Sequence, residues 1–331
     1  MARLTILPEE NETRLDHVLE RLLPGMGLRG RRRVCELGLA TINGQTASPS
    51  RKVRTGEVVE VREEAPLTAS EDHIPPLPGE DGSRLFPDDR ARLIAETPHL
   101  AALYKPAAMH TESLAGKPGT SLQSMLPELL GAERPARLLN RLDFPTSGIT
   151  VAALDETGER QYRQAQEEGL TTKRYLALLE GALEHDMRAT QKLLLKNRSR
   201  VLVELTEHPD IRRHTAVHPL AVLDAAELCR SLRLEEHGWT GRMPYRVTLA
   251  GCTILKGVRH QIRAHCSALG HPLLGDRRYG ALLHPGEDSD EAFFLHHARL
   301  MLSSLDALVL PAWLPVLDKK SAEHAVRWLK S

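Results

Sequence analysis

None of the four cysteines (Cys35, Cys229, Cys252, Cys266) stands in a CxxC pair, which speaks against a structural zinc site or a disulfide framework. A reducing compartment fits that usage. Also missing is any run of roughly 18 apolar residues, the length a membrane span needs. The opening residues, MARLTILPEE, lack the apolar core of a signal segment, so a cytoplasmic protein is expected. Net charge is absent too, with 44 Lys+Arg against 44 Asp+Glu. That balance argues neither for nor against nucleic acid, and the distribution of charge has to decide. No internal repeat or low-complexity tract is found. What is present is an ordinary soluble composition, 41% hydrophobic and 27% charged over 331 residues. At roughly 100 to 200 residues per domain, this length suits two domains, or one with an appendage.

The charge is unevenly spread. Residues 1–62 hold 11 Lys+Arg against 8 Asp+Glu, the basic ones bunched at Arg29, Arg31, Arg32 and Arg33 and at Arg51, Lys52 and Arg54. Leu15, Val18, Leu19, Leu22 and Leu23 recur at helical spacing and predict an amphipathic helix, and a second short helix carries Val34 and Leu37. Asn43-Gly44 is a two-residue hairpin signal, and GEVVEV reads as the strand that ends the unit. Residues 63–98 hold nine Asp/Glu against three Arg, with six prolines, and read as an acidic, partly extended linker. Residues 99–331 mix β-like runs (LAALYKP, GITVAAL, YLALLEG, RVTLAGCTIL) with helical patterns (ETGERQYRQAQEEG, HQIRAHCSALG). Without a regular strand–helix alternation, that mixture predicts an α+β fold rather than a doubly wound sheet.

Three segments carry chemistry-bearing residues. In NRLDFPTSG, residues 140–148, Asp143 sits just before an apolar run. Ordinary turn and cap chemistry accounts for such residues; the functional reading is a carboxylate at a loop lip, able to act as nucleophile or base, with Arg141 pointing to the same lip. In GVRHQIRAHCSALGHPLLGDRRYG, residues 257–280, positions 262, 265, 266 and 269 form one helical stripe, and Arg263 falls off it. An arginine there would meet a carboxylate with a planar, bidentate fork; the alternative is an exposed helix. His260 and His265 are spaced i, i+5, not the i, i+4 of a helical zinc pair. In TTKRYLALLEG, residues 171–181, Tyr175 lies in a strand pattern, where a core tyrosine is the common role; beside a carboxylate it would stack on a flat base or offer its hydroxyl. Physical chemistry alone does not join these segments.

Their combination does. NRLDFPTSG, KRYLALLEG, RHQIRAHCSALGHPLLGDRRYG and the earlier LYKPAAMHT, in that relative order, resemble the RluA-type pseudouridine synthases over nearly all of residues 99–300. Residues 1–62 are similar to the S-four-like RNA-binding domain that precedes many such catalytic domains, with Arg29, Arg31, Arg32, Arg33, Arg51, Lys52 and Arg54 as its RNA contacts. The resemblance implies a mixed, largely antiparallel sheet with flanking helices and a central cleft, in a catalytic domain spanning residues 99–331. It implies Asp143 as the catalytic aspartate, Arg263 as its partner, Tyr175 as a wall of the uracil pocket, Ile262 as an apolar neighbour of the target base, and Arg141 as the residue filling the gap of an extruded nucleotide. Asn140 replaces the family's usual histidine, Pro145 stands where an aspartate is common, and Val258 falls where the family's loop carries other residues.

The reaction so implied breaks the bond from sugar to ring nitrogen, rotates the uracil, joins a ring carbon to the sugar and removes the proton from that carbon, with Tyr175 or a water as the candidate base. It has no redox step, so no cofactor is implied, nor any obligate protein partner. Large-subunit ribosomal RNA is the favoured substrate and transfer RNA the second choice. An RNA-binding or assembly protein without activity is the alternative, suggested by Asn140, Pro145 and Val258.

Overall fold

A computed structural model describes residues 2–23, 28–36, 40–61, 90–113, 120–132, 134–194, 200–286 and 291–331. The chain divides into two compact units, a small N-terminal one, to which Leu302–Asp306 is also assigned, and a large one formed by the remainder.

The small unit runs β1 (Ala2–Thr5), α1 (Leu15–Val18), α2 (Leu28–Glu36), β2 (Ala40–Ile42), β3 (Gln45–Thr46) and β4 (Val58–Val61), with strand order β1-β4-β2-β3. The hairpin falls on Asn43-Gly44, whose φ values of 51° and 81° are the left-handed pair that a two-residue turn needs. The helix expected from Leu15 to Leu23 is a single α turn followed by a 3₁₀ turn, Leu19–Arg21. Pro24 follows directly, and the residue before a proline is driven out of the helical region. Leu15, Val18, Leu19, Ile42, Val53 and Val59 form its core.

Much of the basic cluster is committed inside this unit. Arg14 donates two hydrogen bonds to the buried Asp16 carboxylate (3.0 and 2.9 Å), and Arg32 Nε adds a third at 2.8 Å. These bonds, Arg14's first, hold the Asp16 carboxyl at about 2 despite its burial. Arg31 is buried, donating to the Asp16 carbonyl at 3.0 Å and pairing with Glu20 at 3.0 Å. Arg51 forks onto Glu57 at 2.7 Å through both Nη atoms. Of the expected RNA contacts, Arg31 therefore presents almost no free surface, and Arg32 and Arg51 are partly engaged. Lys52 is 63% exposed, 3.6 Å from Glu12, and Arg54 is exposed. The side chains of Arg29 and Arg33 lie outside the described residues.

In the large unit, β5 (Arg92–Glu96), β6 (Leu100–Lys105), α3 (Leu126–Leu130), β7 (Arg137–Leu138), β8 (Ser147–Ala153), α4 (Glu156–Glu167) and β9 (Thr172–Glu180) come first. They are followed by β10 (Met187–Ala189), β11 (Gln191–Leu194), β12 (Leu202–Glu207), β13 (Thr215–Asp224), α5 (Ala225–Ser231), β14 (Trp239–Gly241) and β15 (Arg246–Ile254). α6 (Gln261–Ala268), β16 (Leu283–Pro285), β17 (Leu295–Met301), β18 (Asp306–Leu308) and α7 (Lys319–Lys330) complete it. The main sheet is ordered β10-β13-β15-β9-β17-β8-β6-β5, with β7 and β18 added beside β8 and β17. Its described pairings are antiparallel except β17 with β8, as an α+β reading expects. β5 corrects the linker boundary: Arg92–Glu96, placed by sequence in an acidic linker reaching residue 98, is an edge strand paired with β6. Residues 62–89 lie outside the described residues.

Alternation along β9 sorts the core. Leu176 and Leu178 face the side covered by α5 and α7, while Tyr175, Ala177 and Leu179 face α6. Fully burying each such leucine contributes about 1.5–3 kcal/mol. Gly148 explains how β17 lies so close beside β8: a Cβ there would stand 2.3 Å from the His297 carbonyl oxygen, and its φ is +115°. β8 thereby sits centrally, and the loop leading into it is carried at the sheet's middle.

Candidate active site

That loop is pinned on both sides of Asp143. The Thr111 hydroxyl donates to the Leu142 carbonyl at 2.8 Å and accepts from the Leu142 N–H at 3.1 Å. On the other side the Phe144 carbonyl accepts from Lys105 Nζ at 3.3 Å, and the same ammonium reaches the Pro106 and Met109 carbonyls at 2.8 Å each. Lys105 is fully buried at the end of β6, and three carbonyl acceptors match its three N–H donors. Burial lowers its proton affinity, to about 7, while the Asp143 charge acts the other way. A turn closed by Thr146 N–H to the Asp143 carbonyl, at 3.0 Å, completes the lip. Asn140, a departure from the family pattern, accepts from the Val151 N–H at 2.7 Å and so ties the loop to β8.

Asp143, 25% exposed, lies on a cleft of about 790 Å³ whose wall includes Tyr175, Ile262, Arg141 and His260. Arg263 Nη1 donates to Asp143 Oδ2 at 2.9 Å. The expected pairing is therefore present, but the expected fork is not. Nε and Nη2 of Arg263 reach Asp276 instead, at 2.6 and 2.9 Å. Asp276, in the GDRRYG segment, is a residue that sequence reasoning misses. The exposed-helix alternative for this segment also fails, because α6 is buried from Gln261 through Cys266, with Arg263 2% exposed. Its guanidinium lies over the rings of Phe293 (4.4 Å) and Tyr279 (5.0 Å). Burial works against the Arg263 charge, yet the two carboxylates outweigh it and raise its proton affinity. The same burial pushes the Asp276 carboxyl up, against the pull of Arg263.

The other oxygen of Asp143, Oδ1, is 3.7 Å from His260 Nε2. His260 adopts φ 53° at the start of α6, and its Nδ1 meets the Tyr279 hydroxyl at 2.9 Å, which also accepts from the Val201 N–H. Burial, opposed by Asp143 and aided by nearby arginines, lowers His260 to about 4, so it is neutral at pH 7. Tyr175 stacks on His297 (centroids 4.5 Å apart, 13° between planes). Burial raises its phenol, so the hydroxyl stays protonated, against the expectation of Tyr175 as a ready base. Ile262 packs with Leu142 and Tyr175. Arg141 is 69% exposed and pairs with Glu112 at 3.0 Å.

Comparison with known proteins gives a consistent result. The family model described as RNA pseudouridylate synthase matches residues 99–268. A protein of Aquifex aeolicus (strain VF5), named an uncharacterized RNA pseudouridine synthase, is 29% identical over 282 residues, covering 82% of this chain and 78% of that protein. Ribosomal large subunit pseudouridine synthase D of Yersinia pestis is 26% identical over 330 residues, 97% of this chain and 89% of that one. Among solved structures, human RNA Pseudouridylate Synthase Domain Containing 1 superposes with a TM-score of 0.55 at 22% identity, over 73% of this chain and 96% of its own, and shows a shared fold.

Proposed function

Because the chain belongs to the RNA pseudouridylate synthase family, we propose that it isomerises uridines of large-subunit ribosomal RNA, with Asp143 as the reacting carboxylate. The observation that carries the reading is the carboxylate–arginine contact at 2.9 Å on the floor of an open cleft. Arg263 engages only Oδ2 of Asp143. Oδ1 faces the reactant, and either attacks the anomeric carbon or removes the neighbouring sugar proton as the bond to ring nitrogen breaks. The freed uracil turns between Tyr175 and Ile262, its ring carbon bonds to the sugar as Asp143 leaves the anomeric carbon or gives the sugar proton back, and the proton on that carbon leaves to water or a base. The target base must leave its stack, at a cost of a few kcal/mol, and Arg141 at the lip fills the vacancy. Ribosomal RNA is favoured because relatives matching most of this chain carry that substrate in their names. The test is pseudouridine mapping after incubation of the purified protein with unmodified large-subunit ribosomal RNA and, separately, transfer RNA. Modification of transfer RNA alone would remove the ribosomal assignment.

Residues 1–62 are proposed as an S-four-like RNA-binding domain, residues 63–91 as a connector, and the rest, from β5 onward, as the catalytic domain. The exposed Lys52 and Arg54, with the outer parts of Arg32 and Arg51, would meet phosphates. Deleting residues 1–62 is expected to flatten the salt dependence of RNA affinity, by roughly 0.7 in log–log slope for each phosphate of single-stranded RNA that is no longer neutralised. The rate at saturating RNA should stay within a few fold. Affinities of full-length and truncated protein at several salt concentrations decide this, and an unchanged slope would mean the unit is not an RNA anchor.

A further inference from the structure

Arg263 is a single cation set between two carboxylates. Its five N–H donors are divided unequally: Nε and Nη2 are committed to Asp276, and only Nη1 reaches Asp143. Asp276 is itself buried and tied by its backbone. Its side chain is 1% exposed, its N–H bonds the Leu273 carbonyl at 3.0 Å, and its carbonyl accepts from Tyr279 and Ala281 at 3.0 and 3.1 Å. The fork is thus anchored to a closed turn, and Phe293 and Tyr279 fix the plane of the guanidinium. Were the fork free, the bidentate geometry that arginine prefers with carboxylates would draw it onto Asp143. Both oxygens of Asp143 would then be hydrogen-bonded, and the oxygen needed for chemistry would be masked.

We infer that Asp276 is a positioning residue of the isomerisation: it occupies the Arg263 fork so that one N–H orients Asp143 and leaves Oδ1 free for the uridine. The inference rests on the reading of Asp143 as the reacting carboxylate. A second cavity, of about 260 Å³, is lined by Asp276, Arg263, Gly275 and Phe293. It gives a small carboxylate a way to the fork if the Asp276 side chain is cut back.

The experiment is single-turnover pseudouridine formation at saturating RNA, with RNA affinity measured in parallel, for Asp276→Ala with and without sodium formate and for Asp276→Asn. Misplacing Arg263 should lower the rate of both variants by about 10²-fold while RNA affinity stays within about threefold. Formate should then raise the Asp276→Ala rate at least about tenfold, saturably, and leave wild type unchanged. A merely structural role would not give that rescue. A folded Asp276→Ala at the wild-type rate overturns the inference, as does a rate loss that follows RNA affinity and does not respond to formate. If thermal melting shows that Asp276→Ala is unfolded, Asp276→Asn decides: a loss of rate with affinity retained supports the inference, and a wild-type rate overturns it. Asp143→Asn, assayed beside them, keeps the two ideas apart. Its survival as an active enzyme would remove the reading of Asp143, whereas its inactivity beside fully active Asp276 variants would remove only the present inference.

Discussion

Asp143→Asn is expected to eliminate pseudouridine formation, lowering the single-turnover rate by at least about 10⁴-fold, the scale found when a nucleophile or base is removed. The arrangement around Arg263 makes this a test of chemistry rather than of folding. Removing one carboxylate from a buried pair ordinarily leaves an uncompensated charge, at a cost of about 3–5 kcal/mol. Here Arg263 keeps its two bonds to Asp276, so no unpaired cation results, and the asparagine carbonyl still accepts from Nη1. The loop also keeps its anchors at Thr111 and Lys105. Melting temperature and RNA affinity should therefore stay close to wild type while the product disappears. The checks are product mapping, RNA binding and thermal unfolding on one preparation. A rate near wild type would sink the assignment of Asp143. A collapse of stability would instead show that Asp276 does not by itself hold Arg263.

Much of this site was legible in sequence, for identifiable reasons. A carboxylate before a seven-residue strand announces a loop lip, while the close contact of Gly148 with the His297 backbone beside it is seen only in the structure. Strand alternation through Tyr175 places it on the α6 face. What sequence could not give was the partition of one guanidinium between two acids. Asp276, 13 residues beyond Arg263, looks like turn chemistry in GDRRYG, and the direction of a side chain in a run of six buried helical residues, Gln261 through Cys266, leaves no periodic trace. Lys105 was equally hidden: a lysine at a strand end reads as surface charge until the three carbonyls around it are known. β5 was lost because RLIAE is short, flanked by charge and only half-buried, the pattern of a protected edge strand that also suits a linker. His296 and His297, adjacent in a strand, carry no spacing that marks their role.

Those two histidines, with His260, should make the large unit sensitive to mild acid. His296 Nε2–H donates to the Val309 carbonyl at 3.0 Å, leaving Nδ1 to accept from the Ser147 hydroxyl at 2.8 Å. His297 Nδ1–H donates to the Ile149 carbonyl at 2.6 Å, while its Nε2 is buried with no partner among the described residues. A second proton on either ring would place a charge in the dry interior. Burial lowers both to about 3 and His260 to about 4, against about 6.5 in the unfolded chain. Below pH 6.5 the unfolded chain therefore binds protons that the folded unit does not. Stability is full above that pH and lost on acidification, approaching about 1.4 kcal/mol per pH unit for each histidine. His265 is lowered by burial too; the other three histidines alone bring the slope near about 4 kcal/mol per unit, so two pH units remove about 8 kcal/mol, comparable with a usual stability of about 5–15 kcal/mol. Carboxyls held low, such as Asp16 at about 2, enter only at much lower pH, whereas Asp276 and Glu180, pushed up by burial, take up protons in the folded unit on acidification and partly offset the histidines. The three tryptophans, Trp239, Trp313 and Trp328, all lie in the large unit, so urea unfolding followed by their fluorescence at pH 7.5, 6.5, 5.8 and 5 reports on that unit alone. His297→Phe keeps a ring against Tyr175 but cannot titrate, and should reduce the slope by one histidine's share, about 1.4 kcal/mol per pH unit. A stability unchanged from pH 7.5 to 5 would show that these rings take up protons in place, and with that the neutral His297 supporting Tyr175 would be lost from the account of the pocket.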